Sequence, residues 1–265
     1  MAVTAPRQSS VPVLAAQGLA LDYATETGPL RVVADVNFVI ESGERLVLLG
    51  PSGCGKSSIL KAVAGFMRPA AGTIVTRGRA ITGPGPDRIV VFQEFDQLLP
   101  WKTVRDNVAF PLRVARRLGK AEATERATQA LAAVGLSRAA DAYPHALSGG
   151  MKQRAAIARA LAAKPDILLM DEPFAALDAL TRRQLQDDLL KLADELRFTL
   201  VFVTHAIDEA VLIGTRLLLL GTQPARPIAT LDTSEFGLAD VGSARFEALV
   251  HHVHDLLFGT RPLHV

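Results

Sequence analysis

The sequence predicts an α/β fold, a core of buried parallel strands and helices interrupted by a helical subdomain. Three observations predict it. Arg45–Leu49 is a short apolar run, and Ile167–Met170 and Leu200–Thr204 are continuous ones, the pattern of strands covered on both faces. A glycine-rich loop, Gly50–Ser57, leads from the first run into a stretch with helical spacing. From about Thr103 to Ala163 the chain is rich in Ala, Arg and Glu and has few β-branched runs, so helices separate the first strands from the later ones.

In chain order, residues 1–11 read as a flexible leader. Arg7 ahead of the mildly apolar Val11–Ala16 gives a superficial likeness to a signal peptide, but the stretch is short and broken by Pro12 and Gln17. Val32 to Ile40 reads as a strand closed by the turn at Ser42-Gly43, and Arg45–Leu49 as the next strand. Ser57 to Gly65 has helical spacing, and Pro84-Gly85-Pro86 marks a loop before the strand Ile89–Phe92. The helical subdomain spans about 94–163, and a helix from about Ala179 to Glu195 lies between the last two apolar runs. Residues 12–222 form the main domain, and 223–265 a helical tail in which Phe246, Leu249, Val250, Val253, Leu256 and Leu257 recur at helical spacing.

Composition excludes several functions. The chain has 265 residues, enough for a sizeable core. Although 49% of residues are hydrophobic, no run reaches the roughly 18 apolar residues of a membrane span. Its most apolar region, Thr199 to Gly221, is broken by His205, Asp208, Glu209 and Arg216. A formal net charge of +2 with no basic block predicts no nucleic-acid partner. Cys54 is the only cysteine, so no disulfide framework is expected and the chain reads as cytoplasmic.

Gly50-Pro51-Ser52-Gly53-Cys54-Gly55-Lys56-Ser57 fits a phosphate-binding loop between strand and helix. Glycines let the backbone curl so that successive N–H groups point at phosphate oxygens, and the following helix adds its positive end. Lys56 is expected at the terminal phosphates, the Ser57 hydroxyl on Mg²⁺, and Ser58 among the nucleotide-binding residues. Cys54 reads as a small filler whose alkylation would obstruct the phosphates. At the end of a strand, Asp171 and Glu172 taken alone could simply solvate the strand end, but beside a phosphate-binding loop they are expected to supply a metal-organising carboxylate and a general base for water. Ser148-Gly149-Gly150, opening an Ala-rich helix about 20 residues earlier, reads as a second anion-binding helix start, although taken alone it is more often an ordinary N-cap.

These motifs, in this order, closely resemble the ABC ATPase family from about Val13 to Leu220. The resemblance implies a phosphate-loop NTPase core with an antiparallel β portion, ATP and Mg²⁺. It also implies that Tyr23 stacks on adenine and that Gln93 reaches the metal and the reacting water. Ser148–Gly150 would be the signature that contacts the γ-phosphate held by the opposite subunit, Asp178 the end of the D-loop, and His205 the switch histidine. Met151, Ala175 and Ala206 stand where the family more often has Gln, Gly and Asp, and none removes a chemical group the mechanism needs.

A head-to-tail homodimer on transmembrane permease subunits follows from the resemblance, with a solute-binding protein acting indirectly. That places the chain peripherally on the inner face of the cell membrane. Phe95, Leu98, Leu99, Pro100 and Trp101 would form the apolar groove that receives the permease. Ile81-Thr-Gly-Pro-Gly-Pro-Asp and Leu-Leu-Pro-Trp101 are similar to the nitrate, sulfonate and taurine importer branch. An exporter ATPase would share every catalytic residue. A repair-type ATPase is disfavoured because the segment between Lys56 and Ser148 is too short for long coiled coils. His251, His252 and His254 read as the exposed side of a terminal helix, since no cysteine or carboxylate set completes a metal site.

Overall fold

The computed structural model describes residues 11–93 and 97–259; Arg7 and Phe95 lie outside the described residues. Two sheets enclose one helix. The first is antiparallel, in the order β2-β1-β4-β5, from β1 (Leu14–Thr25), β2 (Gly28–Ile40), β4 (Ala71–Thr76) and β5 (Arg79–Ala80). The second runs β10-β9-β3-β8-β7-β6, from β3 (Arg45–Leu49), β6 (Arg88–Val91), β7 (Ile167–Asp171), β8 (Thr199–Thr204), β9 (Arg216–Leu220) and β10 (Pro227–Asp232). Its strands pair in parallel except β10, which is antiparallel to β9.

The apolar runs work as expected because alternate side chains enter different cores. Leu46, Leu48, Ile167, Leu169, Val201 and Val203 face the antiparallel sheet, where α1 (Lys56–Ala64) supplies Ile59, Leu60 and Val63. Val47, Leu49, Leu168, Met170, Leu200 and Phe202 face the other way. There they meet α4 (Gly149–Ala162), α5 (Ala179–Leu196), α6 (Ile207–Ile213) and α7 (Ala244–Phe258). With both faces covered, a strand needs no polar side, which is why these runs are uninterrupted. α2 (Val104–Val114) and α3 (Lys120–Ala133) complete the helical segment, packing on each other and on α4.

Two stretches differ from the sequence reading. Leu14–Ala16, the end of the stretch Val11–Ala16, is buried in β1, a strand that the sequence reading does not assign. β1 escapes pattern reading because its register shifts twice between Ala16 and Leu21, with Gly18 at φ 56°, so the period of two is lost. The expected helical tail begins with a strand: residues 227–232 are β10, and the helix starts only at Ala244. A six-residue edge strand alternating exposed and half-buried positions is too short to show its period against a helical background.

Candidate functional site

The phosphate loop leaves the end of β3 and closes into the first turn of α1. Gly50 and Gly55 have no room for a side chain: a Cβ at Gly50 would lie 2.5 Å from the Leu220 carbonyl oxygen, and one at Gly55 2.9 Å from that of Val32. Gly55 also sits at φ 117°, a conformation reserved for glycine, and caps α1. Lys56 is only 4% exposed, and its ammonium donates to the carbonyls of Gly50 (2.8 Å) and Pro51 (3.0 Å), bracing the first turn of the loop. Gly53, also left-handed, and Ser52 form the open outer turn. Cys54 is 2% exposed in the core between the sheets, and burial pushes its thiol pKa up. The thiol is thus sealed from reagents in the folded chain, and the expected obstruction by alkylation requires the loop to open first.

Parallel pairing carries the catalytic candidates to this loop. β3 lies beside β8, and β8 beside β7, so the ends of all three strands meet above α1. Ser57 Oγ donates to Asp171 Oδ1 at 2.9 Å. Burial raises the Asp171 pKa, with the Glu172 charge acting in the same direction, while the Ser57 hydrogen bond, Lys61 and Lys56 oppose it. A hydroxyl and a carboxylate brought together in this way are hard-oxygen donors that fit Mg²⁺. Glu172 takes φ 44°, left-handed for a non-glycine residue, and its N–H donates to Val203 O at 3.0 Å. That turn sends neighbouring carboxylates to different partners, Asp171 to Ser57 and Glu172 to His205, whose Nδ1 lies 3.0 Å from Glu172 Oε2.

Tyr23 reaches the same corner from β1, its hydroxyl 3.1 Å from Ser58 Oγ, with the ring partly exposed. Gln93 stands exposed just beyond β6 and shares no hydrogen bond with these groups among the described residues. The remaining candidates form a separate cluster. Ser148 caps α4 by accepting from Met151 N–H, and Asp178 caps α5 by accepting from Thr181 N–H at 3.0 Å. These two helix starts abut, since a Cβ on Gly150 would lie 2.6 Å from Thr181 Cγ2. Among the described residues, no hydrogen bond or ion pair links Ser148, Gly149, Gly150 or Asp178 to the phosphate loop. The candidate residues therefore fall into two separate clusters.

Of the expected apolar groove, Trp101 is 70% exposed and Pro100 is exposed, whereas Leu98 is buried in the core. Phe92 and Phe110 add exposed rings, and Lys102 lies over the Phe110 ring at 5.2 Å. Among the described residues no three or more histidine, cysteine and carboxylate side chains gather as a metal-holding cluster, and the tail histidines are exposed on α7. The sequence reading noted Glu209 only as a charged break in an apolar stretch. It is a buried carboxyl hydrogen-bonded to Thr204 and Gln186. No short-range pattern could identify it, because its partners come from a different helix and the preceding strand.

Residues 33–175 match the family model described as "ABC transporter". The chain is 46% identical over 236 residues to the taurine import ATP-binding protein TauB of Rhizobium johnstonii, covering 86% of this chain and 89% of that one. It is 49% identical over 212 residues to the nitrate import ATP-binding protein NrtC of Synechococcus elongatus, a match that covers 79% of this chain but only 32% of that longer protein. Among solved structures, a dimeric ATP-binding cassette bound to ADP and Pi superposes with a TM-score of 0.71 at 30% identity, covering 83% of this chain and 98% of that one.

Proposed function

The chain belongs to the ABC transporter ATP-binding family, and from that premise we propose that it hydrolyses ATP to energise an importer for a small anionic solute of the nitrate, taurine or alkanesulfonate kind. The observation that carries the reading is the division of the site: Ser57–Asp171 and Glu172–His205 pair at the phosphate loop, while the signature helix start lies apart. A second copy placed head to tail would bring its Ser148–Gly150 to this chain's bound nucleotide, giving two composite sites. The dimeric cassette bound to ADP and Pi supports that arrangement.

In this mechanism the loop amides from Gly53 to Ser57 and the Lys56 ammonium hold the phosphates, and Tyr23 packs on the adenine. Ser57 and Asp171, with Gln93, would hold Mg²⁺, which supplies positive charge against the phosphate oxygens. Glu172 takes the proton of the attacking water as its oxygen bonds to the γ-phosphorus and the bond to the ADP oxygen breaks. His205 donates from Nδ1 to Glu172 and orients that carboxylate, and a proton on Nε2 as well would let the ring donate to the γ-phosphate. The partner's signature adds hydrogen-bond donors where negative charge develops.

No helix among the described residues is long and apolar enough to cross a membrane. The family reading has the chain attached to the inner face of the membrane by permease subunits seated near Trp101, Phe92 and Phe110, with a solute-binding protein acting from outside. The exporter reading shares the ATPase chemistry; the importer names of the relatives favour the first.

Two measurements test these readings. Light scattering with phosphate release should find that Glu172→Gln lowers turnover at least a hundredfold and accumulates a dimer in Mg-ATP; an equally active variant overturns the composite site. In proteoliposomes carrying the permease, a solute-loaded binding protein should stimulate ATPase, and Trp101→Ala should weaken complex assembly. Stimulation only by solute on the ATPase side would make the complex an exporter.

A further inference from the structure

We propose that Glu209 is a positioning residue that locks the segment presenting His205, with α5 as the splint that holds His205 and Glu172 in register. This rests on the reading of His205 given above. Glu209 lies in the first turn of α6 and is 6% exposed, an unusual place for a carboxylate with no ligand role.

Its surroundings explain the burial. The Thr204 hydroxyl donates to Glu209 Oε2, and Gln186 Nε2 donates to Oε1 at 2.9 Å. Thr204 Oγ1 in turn accepts from Ala206 N–H at 3.1 Å. The donors therefore run one way, from the Ala206 N–H through the Thr204 hydroxyl to Glu209, with Gln186 closing from the other side. His205 stands between Thr204 and Ala206, so one hydroxyl ties the chain on both sides of it. Only a group with two acceptor oxygens can hold both donors in this orientation.

Gln186 lies on α5, and one turn earlier on the same face Arg182 donates to Leu177 O at 3.0 Å and Phe174 O at 3.3 Å. Phe174 and Leu177 belong to the turn that follows Glu172. A single helix therefore grips the segment after the base and, through Glu209, the segment around the histidine. The start of α5 is the Asp178 cap, beside the signature helix, so a shift at that end moves both grips together.

The test uses the purified full chain, with kcat for Mg-ATP and the affinity for a fluorescent ATP analogue measured in parallel. Glu209→Ala and Thr204→Val should each lower kcat on the order of tenfold, as misplacement of a reacting group does, with affinity changed less than about twofold. Thr204→Val conserves shape, so it remains informative if Glu209→Ala folds poorly. Glu209→Gln should recover most of the rate, since its amide oxygen can accept from Thr204 and its amide nitrogen can donate to a flipped Gln186. In a His205→Ala background, Glu209→Ala should cost nothing more.

Equal losses from Glu209→Ala with and without His205, or a full rate in Thr204→Val, would overturn the lock and leave the role of His205 standing. A full rate in His205→Ala alone would instead remove the premise, and the lock with it.

Discussion

At the scale of single residues, strain and burial gather at the phosphate loop and beside Glu172 and His205. Gly55→Ala would force a side chain into φ 117° and toward a carbonyl 2.9 Å away. It should lose about 2 kcal/mol of stability, read by urea unfolding, and lose nucleotide binding with it. Cys54 should resist maleimide in the folded protein and label fully in denaturant, because its thiol is buried. Glu209 sets a pH dependence. Burial raises its pKa and Asp208 adds to the effect, while the Thr204 and Gln186 hydrogen bonds and Arg182 oppose it. A carboxyl whose pKa is raised on folding stabilises fully below its unfolded pKa and loses that contribution as pH rises through the folded value. Glu209→Gln does not titrate, so its stability relative to the natural chain should grow from acid to neutral pH. A difference that stays constant across that range would refute the direction of the shift.

Secondary-structure elements show how one device serves two purposes. Thr103 and Ser148 each cap a helix by accepting from the N–H three residues on. Replacing either by Ala should cost about 1 kcal/mol of stability in thermal unfolding. Only Ser148→Ala should also depress ATPase, because only that helix start faces a partner's nucleotide in the proposed dimer; equal ATPase losses would mean that capping alone matters. The Ser148 start was legible in the sequence because the serine, its glycines and the Ala-rich helix they open are adjacent. The opposition of β7 and β8 was legible only as two apolar runs. What brings Asp171 to Ser57 is that β8 pairs with β3 on one side and β7 on the other, and strand order is set by packing over long sequence separations rather than by local pattern.

For the whole molecule, the tail is part of the fold. β10 completes the sheet edge, Ala225 bonds to β2, and Phe246 is 2% exposed against Phe236 at 5.9 Å between ring centres. Phe246→Ala should cost about 3–5 kcal/mol in urea unfolding; a loss below 1 kcal/mol would make α7 an appendage. Leu180 lies exposed just past the Asp178 cap, at the end of α5 that a head-to-tail partner would cover. In the Glu172→Gln background, Leu180→Asp should abolish the ATP-dependent dimer seen by light scattering while leaving the monomer's melting temperature unchanged.

The sequence by itself determined the α/β class, the strand–loop–helix at Gly50–Ser57, the Asp171-Glu172 pair and the helix starts at Ser148 and Asp178. Each is encoded by neighbours a few residues apart, where glycine freedom, capping and apolar periodicity act. The tertiary structure alone decided that Glu172 pairs with His205, that the candidate residues form two clusters, that residues 227–232 close the sheet edge, and that Glu209 joins Gln186 to Thr204. Those contacts join elements far apart in the chain, and a short sequence window carries no record of which strands lie side by side.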